Sequence, residues 1–97
     1  MELAKHISSA KRTYLIGNGG SAANAMHIAN DLFSVGIRAE ALTNVATLTA
    51  IANDYSYEEV FSRQIRIYGE PGDLLIALSG SGRSPNIIAG IAAAEEI

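Results

Sequence analysis

Two short apolar runs, TYLIG at 13–17 and LLIAL at 74–78, each open directly into a loop built from glycine, serine and asparagine. The first continues as NGGSAAN (18–24) and the second as SGSGRSPN (79–86), and both lead into stretches of helical composition. A β-rich run that stops on glycine or serine, followed at once by a helix, is a strand-to-helix unit. Its repetition constrains the fold more than any other feature. The runs are apolar at nearly every position rather than at alternate ones, as in strands covered on both faces. Parallel strands joined by helical crossovers meet that requirement, so the expected class is α/β, a parallel sheet with helices on both faces.

The rest of the chain fits the same scheme. ELAKHISSAKR (2–12) reads as the tail of a helix, and residues 18–36 as a long helix with Ser21 as N-cap and Gly36 as its stop. IRAEAL (37–42) alternates as a second strand. TNVATLTAIANDY (43–55) is a helix capped by Thr43 or Asn44, and SYEEVFSRQIRIYG (56–69) is another, with Ser56 and Glu59 in capping-box spacing. EPGD (70–73) is a turn, and Ser84 with Pro85 opens the last helix. Right-handed crossovers bring the loops after the strands to one edge of the sheet. Residues 1–97 read as the N-terminal part of one larger domain, whose last strand needs a cover from further chain or another subunit.

Composition then narrows the ligand. With 48% hydrophobic and 18% charged residues, the 97-residue chain is a globular domain and not a disordered one. It has no cysteine, which removes disulfides and thiolate metal sites. No apolar run approaches the roughly 18 residues of a membrane span. Net charge is −3 and the seven Lys and Arg residues are scattered. The expected partners therefore include neither nucleic acid nor membrane, and the expected location is the cytoplasm. An anion site must be local, made from backbone N–H groups. Both Gly/Ser loops supply them: glycine lets the backbone curl around a ligand, the following helix adds its dipole, and Ser79, Ser81 and Ser84 add hydroxyl donors without bulk. GNGGSA departs from G-x-G-x-x-G, and no G-x-x-x-x-G-K-[ST] is present. A lone phosphate monoester suits such a site better than a nucleotide.

His27 and Asp31 are four residues apart on the long helix and so share a face. The spacing alone admits either a solvated ion pair or half of a metal or acid–base site. His6 reads as solvated, Tyr55, Tyr57 and Phe61 as packing residues, and Glu59 with Arg63 as a surface ion pair.

The blocks IGNGGSAANAMHIANDL, LTAIANDYSYEEVFSRQI and GDLLIALSGSGRSPNII together resemble the sugar isomerase (SIS) domain family, most closely its bacterial phosphoheptose isomerases. The resemblance implies a flavodoxin-like three-layer fold and isomerisation between sedoheptulose 7-phosphate and an aldose phosphate. It implies that Ser79, Gly80, Ser81 and Ser84 hold the phosphate, although the family's S-T-S-G-N-S has Gly80 and Arg83 in place of Thr and Asn. It places Asn18, Gly19, Gly20 and Ser21, with Asn53 and Asp54, at the sugar. It makes His27 and Asp31 catalytic residues and zinc ligands, with Asp31 standing where the family has Glu. The other zinc ligands belong to a later helix, so the zinc site is incomplete here. A dimer or tetramer is also implied. The alternative is a non-catalytic SIS domain that binds a sugar phosphate or a protein, like the initiator-associating proteins that bind the replication initiator DnaA.

Overall fold

The computed structural model describes residues 2–97; Met1, the first residue of the expected domain, lies outside them. The element order is α1 (Glu2–Ser9), β1 (Thr13–Gly17), α2 (Gly20–Ser34), β2 (Ala39–Ala41), α3 (Val45–Asp54), a 3₁₀ turn (Tyr57–Glu59), α4 (Ser62–Tyr68), β3 (Leu74–Leu78) and α5 (Pro85–Glu95). The three strands form a parallel sheet in the order β2-β1-β3. The α/β class and the position of each strand are as expected.

β1 lies in the middle and is buried along its whole length. Its side chains divide between two cores, as the pleat of a strand requires. Leu15 packs with Ala25 and Ala29 of α2 on one face. Tyr14 and Ile16 pack with Phe61, Ile65 and Ile87 on the other, against α4 and α5. Helices therefore cover both faces, which explains the unbroken apolar character of the run. All five residues of β3 are only half-buried, because among the described residues no strand pairs with its outer edge.

Three local expectations are corrected. Ser21 does not cap α2: the N-cap is Gly19, at φ 54, and the first helical bonds run from Ser21 N–H to Asn18 C=O (2.9 Å) and from Ala23 N–H to Gly19 C=O (3.1 Å). Ser21 thus lies inside the first turn, and its hydroxyl takes no part in capping. β2 spans only three residues because Ile37 serves the end of α2 instead. The Ile37 N–H donates to Leu32 C=O and the Gly36 N–H to Phe33 C=O, each at 3.0 Å, with Gly36 at φ 86. That is a Schellman stop, and it needs glycine at the left-handed position. Ser56 and Glu59 open a 3₁₀ turn and not an α-helix, and their side chains bond each other (3.1 Å) without capping the backbone. The Glu59 carboxylate is drawn instead to Arg63 (3.0 Å), as the spacing predicts, while the Arg63 guanidinium lies 3.3 Å above the centre of the Tyr55 ring.

Candidate functional site

The strand order reverses direction at β1: the chain passes from β1 to β2 on one side, then crosses back to β3 on the other. Open α/β sheets bind ligands at such a switch point, outside the carboxyl ends of the strands. The loops 18–19 and 79–84 leave β1 and β3 there as neighbours, because Gly17 pairs with Leu78. Gly17 lets α2 begin hard against the strand. A Cβ at that position would lie 2.7 Å from the Ser21 carbonyl carbon and oxygen, closer than any real contact.

Asn18 is the hub of this edge. Its Nδ2 donates to Asn86 Oδ1 and its Oδ1 accepts from Asn86 Nδ2, both at 2.9 Å. The same Oδ1 accepts from the Tyr57 hydroxyl, also at 2.9 Å. One residue thus joins all three sequence blocks: its own loop, the 3₁₀ turn just after Asn53 and Asp54, and the helix that follows the serine loop. Asn86 is 2% exposed, so its amide needs these partners. Neither Asn86 nor Tyr57 stands out in the sequence as a site residue. Phe61 is buried core, as expected, but Tyr57 reaches the site through its hydroxyl.

The serine loop is held by its own hydroxyls. Ser79 Oγ accepts from the Gly82 N–H (3.0 Å) and Ser81 Oγ from the Arg83 N–H (3.1 Å). A hydroxyl that accepts in this way keeps its own proton to give, and polarisation along the chain makes it a better donor. Ser84 is the N-cap of α5 and makes no side-chain cap bond, and Pro85 follows at N1. The loop, the hydroxyl protons and the start of α5 are together suited to receive an anion. Gly80 is exposed, with open space where a Cβ would stand.

Asn53 and Asp54 end α3, both exposed, with Asn53 Nδ2 donating to Asp54 Oδ1 (3.0 Å). His27 and Asp31 lie 3.3 Å apart (Nε2 to Oδ2), on one face as the spacing predicts. That face points outward: each is two residues, about 200° of helix, beyond the buried Ala25 or Ala29. His27 and Asp31 also lie about 10 and 16 Å along the axis from the start of α2. Among the described residues no cluster of three metal-ligating side chains exists. The imidazole and carboxylate would fit two positions of a zinc ion, which needs at least three protein ligands. A cleft of ≈ 340 Å³ between Arg12, Thr13, Phe33 and Arg38 opens at the amino end of the strands, away from the serine loop.

The chain matches the SIS domain family over residues 2–97. It belongs to that family. This SIS domain is 53% identical over 87 residues to the phosphoheptose isomerase of Aromatoleum aromaticum, an overlap of 82% of this chain and 44% of that protein. It superposes on the phosphoheptose isomerase GmhA of Neisseria gonorrhoeae with a TM-score of 0.90 at 41% identity, covering 97% of this chain and 52% of the other. On the phosphoheptose isomerase of Francisella tularensis the TM-score is 0.93 at 31% identity, with 98% and 54% covered. The chain spans about half the length of the curated relatives it matches. No helix of the described residues is long and apolar enough to cross a membrane.

Proposed function

We propose that the complete protein containing this SIS domain is a cytoplasmic, homo-oligomeric isomerase that interconverts sedoheptulose 7-phosphate and an aldose phosphate. The observation that carries this reading is the convergence of the three blocks on Asn18, beside a serine loop suited to a phosphate. The relatives named as phosphoheptose isomerases support it. Ser79, Ser81 and Ser84 hold the phosphate, with Gly80 leaving the backbone accessible. Asn18 to Ser21, Asn53 and Asp54 bind the sugar. Asp31, oriented by His27, moves the proton between adjacent carbons. His27 and Asp31 would supply two ligands to zinc, which polarises the carbonyl oxygen when bound.

The outward position of His27 and Asp31 and the shorter Asp31 favour a second reading, a SIS domain that binds phosphosugar without turnover. Conversion of sedoheptulose 7-phosphate by the complete protein, assayed with zinc supplied, separates the two. Turnover is expected; binding without it would leave the second reading.

A further inference from the structure

The Asn18 amide has little freedom left. Its oxygen accepts two hydrogen bonds, from Asn86 Nδ2 and from the Tyr57 hydroxyl, which uses both lone pairs. Its nitrogen gives one proton to Asn86 Oδ1 and keeps a second. Asn18 is partly exposed, while Asn86 is buried at the second position of α5. We infer that Asn86, with Tyr57, is a positioning residue: it fixes the Asn18 amide so that Asn18 offers an N–H donor, and no acceptor, to an oxygen atom of the bound sugar. The inference rests on the proposed reading of Asn18 as a sugar contact. Because Asn86 follows the serine loop by two residues, the same bond ties the phosphate cradle to the sugar-facing loop. The sugar oxygen recognised here is an acceptor, a carbonyl or a hydroxyl oxygen.

The Asn86→Asp substitution tests this through its pH profile in the complete protein. A protonated carboxyl has one donor and one acceptor and so reproduces the amide's two bonds to Asn18. An ionised carboxylate sets a charged oxygen against Asn18 Oδ1 and releases the amide. Burial raises the carboxyl's pKa, so the neutral form holds at acidic pH and is lost as pH rises. The readout is the calorimetric affinity for sedoheptulose 7-phosphate divided by that for inorganic phosphate, taken relative to wild type at the same pH, which cancels the ligands' own ionisation.

In Asn86→Asp this relative ratio should be close to one at about pH 5 and fall about tenfold by about pH 8. A ratio that tracks wild type across the range would overturn the inference. Should Asn86→Asp fail to fold, Tyr57→Phe decides, since Tyr57 is exposed and its loss leaves the core intact. It should lower the ratio about threefold with an unchanged melting temperature, and an unchanged ratio overturns the inference. A wild type that binds phosphosugar no better than phosphate sinks the sugar-site reading as well; a wild-type preference with unaltered variants sinks the inference alone.

Discussion

Asn18 and Asn86, 68 positions apart in the chain, exchange two amide hydrogen bonds of 2.9 Å across the switch point of the sheet. Neither bond could be replaced by water without opening the packing around the buried Asn86. Asn86→Ala should therefore destabilise the complete protein by about 1–3 kcal/mol, by stripping Asn18 of two of its three side-chain hydrogen bonds and leaving a void. Urea denaturation of the two proteins checks this; equal midpoints would mean that the pair contributes nothing to stability.

The serine loop should behave as a phosphate cradle. Sedoheptulose 7-phosphate should raise the melting temperature of the complete protein, and the unphosphorylated sugar should not, since only a ligand that binds the native state stabilises it. Ser81→Ala should cost about 1–3 kcal/mol of binding, by removing a donor to a charged oxygen. Equal stabilisation by both sugars in a thermal melt would count against the cradle.

Gly17 makes a prediction about packing alone. An alanine there would place Cβ 2.7 Å from the backbone of Ser21, so α2 must shift away from β1. Gly17→Ala should cost about 1–3 kcal/mol or more in stability, as overpacked sites do, and should weaken phosphosugar binding by moving Asn18. Chemical denaturation and calorimetry read the two effects separately.

Asp31 carries the catalytic question. One methylene shorter than Glu, it should leave a slow enzyme, because displacement of a catalytic group by about 1 Å can cost about a hundredfold in rate. Asp31→Glu should then be faster than wild type, and Asp31→Asn inactive with phosphosugar binding intact. Steady-state rates with zinc supplied test the series. Full activity in Asp31→Asn would place the base elsewhere.

Where the sequence was legible, short-range physics was in charge. The runs TYLIG and LLIAL are apolar at nearly every position because helices cover both faces of their sheet. Asn44 caps α3 by accepting from the Thr47 N–H at 3.0 Å, a bond between near neighbours. The His27–Asp31 and Glu59–Arg63 pairs likewise follow from helical spacing. What stayed hidden depends on distant partners. Asn86 looks like an ordinary polar residue in the first turn of a helix until the fold brings Asn18 beside it. Tyr57 reads as a packing aromatic until its hydroxyl meets the same oxygen. Ser21 misleads for a related reason: the glycines before it let α2 start early, so a good capping residue ends up inside the helix.

The pairing of β1 with β3 has a kinetic consequence. Thr13 pairs with Leu74 in the central strand's register, although α2, β2, α3, the 3₁₀ turn and α4 separate them in the chain. Contacts that close a loop of roughly sixty residues form late, because the entropy of closure must be met before they are rewarded. During synthesis β1 and α2 leave the ribosome long before β3, with Tyr14 and Ile16 still lacking the α5 side of their core. The Asn18 loop cannot be fixed until α5 docks Asn86 beside it. Assembly of the site is therefore expected to coincide with the slowest step of folding, and a chaperone that shields β1 would act on this step more than on any other.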